Sequence, residues 1–100
     1  MFIHHVYFWL KEGLSPEEIQ QFEAGVTSLL SIETVKIGDV GKPAGTDRPV
    51  IDRSYSYSLL TIFDNEEGHD IYQPHPVHLK FIESCKHLWT KVLIYDSETV

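Results

Sequence analysis

The hydrophobic and polar positions of the chain follow two periods, and these periods predict which segments form strands and which form helices. Residues 2–10 are rich in aromatic and β-branched side chains in both alternating sets, which is typical of a strand covered on both faces. Residues 53–63 also alternate with a period of two, and Tyr55, Tyr57 and Phe63 fall in the same set. In total, strands are predicted over residues 2–10, 34–40, 53–63 and 88–96.

A helical period marks the segment between the first two strands. Apolar residues return at this period from Ile19 to Leu30, which predicts an amphipathic helix that ends near residue 31. Its start is indicated by Ser15, Pro16 and Glu18, because these residue types have the spacing of a capping box with proline at the first helical position.

A second helical segment lies between the third and fourth strands. It begins at the acidic run 64–67, continues through Tyr72, is broken by Pro74 and resumes at Pro76. Two segments have no predicted regular structure: residues 42–52 are expected to form a long loop, and residues 97–100 are expected to be a frayed tail.

The element order β-α-β-β-α-β predicts an α+β class and a ferredoxin-like subunit, in which a four-stranded antiparallel sheet carries both helical segments on one face. The opposite face would then expose large apolar side chains from the first, third and last strands, more than a lone domain usually leaves in water. Two copies packed sheet against sheet would cover this surface. The sequence therefore predicts a homodimer that closes into an α/β barrel.

Composition and charge narrow the classes of function. One hundred residues correspond to a single domain, residues 1–100, with a modest core. The net charge of −7 disfavours nucleic acid and anionic membranes as partners. No segment resembles a signal peptide or has the ~20 apolar residues of a spanning helix, and the single cysteine, Cys85, fits a reducing compartment, so a cytoplasmic location is predicted.

The richest candidate for chemistry is the segment 72–78, with the sequence YQPHPVH. Its two prolines exclude a continuous helix, so Tyr72 is expected to end one helix and His78 to lie in the first turn of the next. A neutral imidazole beside a phenol can exchange a proton near pH 7, as general acid–base catalysis requires. The structural alternative is that the two histidines cap the helix and pack.

Other histidines widen or limit this candidate site. His4 and His5 point to opposite faces of the first strand, so only one of them can join a pocket, and His5 shares its face with Tyr7. A metal site at His75 and His78, with His69 considered as a further member, lacks an evident third ligand, and His75 precedes the helix. Neither a metal nor a cofactor is therefore predicted.

Taken together, these features resemble the stress-responsive A/B barrel (Dabb) family over nearly the whole chain. The resemblance rests on the opening strand with His5 before apolar residues, a second strand that ends in glycine, and a third strand that closes in Phe63. It also rests on the Tyr-x-x-His-Pro-x-His segment 72–78 and on Trp89 in the last strand. The family implies a homodimeric α/β barrel of two ferredoxin-like subunits, and most of its members have no known reaction.

More distantly, the chain is similar to the plant olivetolic acid (polyketide) cyclase branch, which works by a cofactor-free aldol condensation. The resemblance implies catalytic roles for Tyr72 and His78 and a pocket position for His5. The third-strand pocket histidine of that branch is matched here by Tyr57.

Three functions remain open. The first is binding of a small hydrophobic or aromatic ligand in an internal pocket. The second is a cofactor-independent enzyme of the cyclase, isomerase or monooxygenase kind, with His78 as general base and Tyr72 as positioning donor. The third is a purely structural, stress-associated dimer. The expected ligand-binding residues are His5, Tyr7, Tyr57, Tyr72, His75 and His78.

Overall fold

The sheet has four antiparallel strands in the order β2-β3-β1-β4, in a computed structural model that describes residues 1–100. The strands are β1 (Phe2–Leu10), β2 (Ile37–Gly41), β3 (Tyr57–Phe63) and β4 (Trp89–Glu98). The helices are α1 (Pro16–Ser28), α2 (Glu66–Tyr72) and α3 (Pro76–Cys85), and short 3₁₀ turns follow α1 and α3. This architecture confirms the predicted ferredoxin-like fold.

The core lies between one face of the sheet and the helices. Phe8 of β1 packs edge-on against Phe22 of α1 and Phe81 of α3, with ring centroids 5.2 and 5.9 Å apart. Helices α1 and α3 approach closely at Gly25, where an added Cβ would lie 2.8 Å from Cys85 Sγ. The absence of a side chain at Gly25 therefore allows the two helices to share this part of the core.

The predicted start of the first helix and the predicted break in the second helical segment are confirmed, whereas α1 ends at Ser28 and a 3₁₀ turn continues to Ser31. Ser15 Oγ accepts a hydrogen bond from Glu18 N at 3.1 Å, and Glu18 Oε1 accepts one from Ser15 N at 2.9 Å, which completes the capping box. The two prolines separate α2 from α3, and Pro76 is the first residue of α3. The helix-forming segment is thus divided where the sequence indicates.

Three strand boundaries differ from the prediction by two residues or more. β2 begins at Ile37 rather than residue 34, because Val35 N is engaged in a turn with Ile32 O at 3.0 Å. β3 begins at Tyr57 rather than residue 53, because side-chain contacts replace the ladder there, such as Ser54 N to Asp52 Oδ1 at 2.8 Å. The predicted frayed tail is wrong, since residues 97 and 98 pair with β1.

The face opposite the helices is lined by aromatic and aliphatic side chains. Tyr7 contacts Tyr55 and Tyr95 edge-on, with centroids 4.9 and 6.3 Å apart, and Tyr95 remains 62% exposed. The expectation that Tyr55 and Tyr57 share a face is wrong, because β3 starts only at Tyr57 and its alternation does not extend back to Tyr55. None of the helices has both the length and the apolar character needed to cross a membrane.

Candidate functional site

A cavity of about 240 Å³ lies between the helix side of the sheet and helices α2 and α3. Ten of its thirteen lining residues are hydrophobic, and the polar ones are concentrated near the end of α2. The lining residues are His4, Val6, Phe8, Leu29, Leu59, Tyr72, Gln73, His78, Phe81, Ile82, Trp89, Val92 and Ile94. An apolar cleft with a few polar groups is the usual form of a small-molecule site.

His4 enters this cavity from β1, on the same side of the strand as Phe2, Val6 and Phe8. Its imidazole is buried, and its Nδ1 lies 2.5 Å from Asp96 Oδ1, on the residue directly opposite in β4. Burial lowers the pKa of His4, and the Asp96 carboxylate opposes part of this shift. His4 is therefore anchored by a hydrogen bond while its ring faces the aromatic end of the cavity.

Tyr72 and His78 come together because the proline-containing break joins the end of α2 to the start of α3. Their ring centroids are 4.9 Å apart, and the Tyr72 ring also lies edge-on to His4, with centroids 5.9 Å apart. Tyr72 is 1% exposed, and burial raises the pKa of its phenol. At neutral pH the phenol thus keeps its proton and can act as a hydrogen-bond donor.

The imidazole of His78 has an unusual environment. Its Nδ1 is buried and has no hydrogen-bond partner in the protein. Burial lowers the pKa of His78, and the neighbouring imidazoles of His4 and His69 lower it further when they are charged, while the backbone of Gln73 opposes part of this shift. A neutral, half-buried imidazole with one unpaired nitrogen is suited to exchange a hydrogen bond or a proton with a bound molecule.

The structure does not bring His5 and Tyr7 to this cavity. Both lie on the helix-free face, where their rings stack with centroids 4.5 Å apart and the Tyr7 hydroxyl is 3.2 Å from His5 Nδ1. The pocket position expected for His5 is therefore corrected to His4. The reason is the alternation of β1, which turns residues 2, 4, 6 and 8 toward the helices.

His75 and Tyr57 also lie outside the cavity. His75 is the N-cap of α3: its Nδ1 accepts a hydrogen bond from Val77 N at 3.1 Å, and its Nε2 lies 3.2 Å from Glu33 Oε2. Tyr57 is buried on the helix side, but its hydroxyl donates a hydrogen bond to the Glu23 carboxylate. Burial and this carboxylate raise the pKa of Tyr57 to about 12.

Four polar residues near the site are not among the predicted site residues: His4, His69, Gln73 and Asp96. Gln73 lines the cavity, and its Nε2 lies 3.0 Å from His69 Nε2. For His4 the sequence leaves the face undecided, because its own alternating set, with Phe2, Val6 and Phe8, and the opposite set are both apolar. No local signal indicates that Asp96 faces His4, since the two residues are far apart in the chain.

Comparison with known proteins agrees with this architecture. The model of the Stress responsive A/B Barrel Domain family matches residues 2–99. The stress-response A/B barrel domain-containing protein HS1 of Arabidopsis thaliana is 29% identical over 87 residues, which cover 86% of this chain and 78% of HS1. These matches do not extend to the polyketide cyclase branch, so that resemblance stays a prediction.

Solved structures repeat the fold over nearly the whole chain. An Arabidopsis thaliana crystal structure superposes with a TM-score of 0.81 at 26% identity and covers 100% of this chain and 96% of its own. A dimeric ferredoxin-like protein of unknown function from Thermobifida fusca superposes with a TM-score of 0.78 at 18% identity. The match covers 98% of this chain and 90% of that protein. A hydroxynitrile lyase from Passiflora edulis superposes with a TM-score of 0.77 at 20% identity. The match covers 96% of this chain and 90% of the lyase.

The lowered pKa of His78 predicts how stability changes with pH. The unfolded chain has a His78 pKa near 6.5 and the folded chain a lower one, so the unfolded state binds more protons between these two values. The free energy of unfolding should therefore fall as the pH drops below 6.5 and should not depend on His78 above it. Urea unfolding from about pH 7.5 to about pH 5, at one protein concentration, measures this dependence.

His78→Gln should reduce the acid-dependent loss of stability, whereas the same change at the exposed His87 serves as the control. The ring protons of His78 should titrate below pH 6.5 in NMR spectra of the wild-type protein. A His78 that titrates at or above 6.5 would contradict the buried environment described here.

Proposed function

We propose that this chain, which belongs to the stress-responsive A/B barrel domain family, binds a small aromatic molecule in the cavity between the sheet and α3. The observation that carries the proposal is the composition of the cavity, where apolar walls end in the polar groups of His4, Tyr72 and His78. Such an arrangement favours a ligand with a ring at one end and a hydrogen-bonding substituent at the other.

The size of the cavity limits the ligand. Its volume of about 240 Å³ is below the ~300 Å³ at which pockets for drug-sized molecules begin. A single substituted ring is therefore a better fit than a larger polycyclic compound. Val92 and Ile94 line the cavity from β4 and are partly exposed, at 42% and 47%, so the ligand would enter beside this edge strand.

A phenolic aldehyde such as 4-hydroxybenzaldehyde tests the binding proposal. In protein NMR spectra it should shift resonances of residues around the cavity, because its ring would contact the apolar walls and its oxygen would reach Tyr72 or His78. His78→Ala should weaken binding roughly fivefold and Tyr72→Phe more mildly, as expected when one hydrogen bond of about 1 kcal/mol is lost. Both variants should keep the wild-type fold by circular dichroism.

His87→Gln is the matched control and should bind the aldehyde like the wild type. Shifts confined to the helix-free face, or equal affinity in all four proteins, would contradict a ligand site at this cavity.

A second candidate function, catalysis of proton transfer, is favoured by one observation: the buried Nδ1 of His78 has no partner, and a protonated phenol lies beside it. With its proton on Nε2, the imidazole could accept a substrate proton at Nδ1, while Tyr72 would hold the adjacent oxygen. A cyanohydrin is a suitable substrate class, and a structural neighbour with the same fold is a hydroxynitrile lyase. At 20% identity that likeness indicates the fold alone, so the proposal depends on the Tyr72–His78 pair.

The cyanohydrin mandelonitrile tests this candidate. His78 would take the hydroxyl proton as the C–CN bond breaks, which yields benzaldehyde and cyanide, and cyanide would then recover the proton as HCN. Benzaldehyde release should be faster with the wild-type protein than without it, and His78→Ala should reduce the difference at least tenfold. Release at the uncatalysed rate, or equally fast in His78→Ala, would leave ligand binding as the better function.

We further propose that two copies of the chain form a homodimer through their helix-free faces. This face carries Tyr7, Trp9, Leu93 and Tyr95 around an open depression, and Tyr95 is 62% exposed there. Sheet-to-sheet packing of two copies would remove it from water, and a stable interface of this kind buries more than ~2,000 Å² in total.

Tyr95→Asp should convert the dimer into monomers, because it places a carboxylate in the apolar interface. Leu79→Asp is the matched control: Leu79 is exposed to a similar degree, 55% against 62%, but lies on α3 on the helix side. Sedimentation equilibrium at micromolar concentration should find wild type and Leu79→Asp dimeric and Tyr95→Asp monomeric. A folded wild-type monomer under these conditions would exclude the proposed dimer.

A further inference from the structure

Beside the cavity, three side chains from three separate elements meet: His4 of β1, which lines the cavity, His69 of α2 and Asp96 of β4. One potential ligand atom from each of them lies within 4.8 Å of the other two. We propose that these residues form a binding site for a divalent transition metal ion. The proposal goes beyond ligand binding in the cavity, because the ion itself can be measured with no aromatic compound present.

The residue types fit such an ion. Two imidazoles and one carboxylate are the ligand set of many zinc and iron(II) sites in which protein groups fill three positions and leave one or more open. Alkaline-earth ions favour sites built from oxygen alone, so two nitrogen ligands indicate a first-row transition metal. The net charge of −7 favours uptake of a cation in general.

The distances require only small side-chain movements. A tetrahedral ion with bonds of about 2.0–2.1 Å holds neighbouring ligand atoms roughly 3.3 Å apart. His4 Nδ1 and Asp96 Oδ1, now 2.5 Å apart, would separate by under ~1 Å, and His69 would approach by at most about 1.5 Å. Asp96 can make this adjustment because its side chain is 41% exposed on an edge strand.

Partners for the outer nitrogen of His69 are already in place. If Nε2 binds the ion, Nδ1 can donate toward the Asp70 carboxylate, which lies 3.9 Å away. If Nδ1 binds instead, Nε2 can donate to the side-chain amide of Gln73, 3.0 Å away, after the amide turns its oxygen inward. The Gln73 arrangement is already at hydrogen-bond distance and matches the second hydrogen bond by which metal-bound histidines are usually oriented, whereas the Asp70 carboxylate would have to approach by about 1 Å.

The surrounding aromatic rings would hold the site in a partly dry setting. Phe2 stacks on the His69 ring with centroids 4.7 Å apart, and Phe63 lies edge-on to the same ring at 5.7 Å. His4 is itself a lining residue of the cavity beside Tyr72 and His78. The open coordination position of an ion at His4 would therefore face the cavity, where water or an oxygen of a bound molecule could occupy it.

The proton balance gives this site a pH dependence. The proton between His4 Nδ1 and Asp96 Oδ1 is lost to solvent if that nitrogen binds the ion, since one lone pair cannot serve both. Zinc affinity should therefore decrease on acidification. If His4 and Asp96 formed only a structural hydrogen bond, zinc would not compete with the proton on His4 Nδ1.

Isothermal titration of the complete, chelator-treated chain with ZnCl₂ tests the site. We expect one ion per chain and, for His69→Gln and Asp96→Asn, at least a tenfold weaker affinity. His87→Gln removes an exposed histidine outside the cluster and should bind zinc like the wild type. Cobalt(II) offers a readout that needs no variant, because this paramagnetic ion should broaden the NMR signals of His4, His69 and Asp96 before those of His75.

Several results would overturn the proposal. One is the absence of zinc binding at micromolar concentrations; another is equal affinity in all variants. A third is loss of binding in His75→Gln, which would assign the ion to the surface pair of His75 and Glu33, 3.2 Å apart. If His69→Gln does not fold, the zinc affinity of Asp96→Asn and the cobalt broadening test whether the ion binds at this cluster. Asp96→Asn is suitable because Asp96 is partly exposed and asparagine keeps the shape of the side chain.

Discussion

The hydrogen-bond register of β1 is the constraint on which the rest of the structure depends. β1 lies inside the sheet, paired along its length with β3 on one side and β4 on the other. A shift of one residue would turn every side chain of β1 to the opposite face. The register therefore decides at once that Phe8 enters the core, that His4 enters the cavity opposite Asp96, and that Tyr7 stays on the helix-free face.

The division of the second crossover into α2 and α3 has an equally direct consequence for the site. A continuous helix would place Tyr72 and His78 six residues apart, nearly two turns along one axis. The break instead lets the last residue of α2 and the first turn of α3 converge on the same end of the cavity, with ring centroids 4.9 Å apart. His75 supports this geometry as the N-cap of α3, which explains why it faces the backbone and not the cavity.

The parts of this molecule that were predictable from sequence are those that local chemistry determines. Ser15 and Glu18 form the expected capping box, and the prolines divide α2 from α3, because both effects act within a few residues. The start of β3 was not predictable, since side-chain hydrogen bonds such as that of Asp52 take the place of a strand ladder that composition favours. Local patterns contain no information on such competition.

The histidine of the cavity illustrates a different limit. Both alternating sets of β1 are apolar, so hydrophobicity alone could not decide whether His4 or His5 faces the helices. The decision depends on Asp96, which lies at the other end of the chain and pairs with His4 through the β1–β4 register. Long-range pairing of this kind becomes visible only when the strands are assembled.

The free energy of ligand binding in the cavity depends on both its apolar walls and the unpaired nitrogen of His78. A buried polar atom without a partner costs about 1–3 kcal/mol, and His78 Nδ1 is such an atom in a domain whose total stability is of order 5–15 kcal/mol. The aromatic packing around Phe22 and Phe81 helps to offset this cost. A molecule that brings a ring to the apolar walls and a hydrogen-bonding group to His78 would gain from both, because burial of the ring and satisfaction of the imidazole occur in the same event. A purely apolar molecule would leave the imidazole unpaired, and a purely polar one would leave the walls uncovered, so the cavity selects for molecules that combine the two.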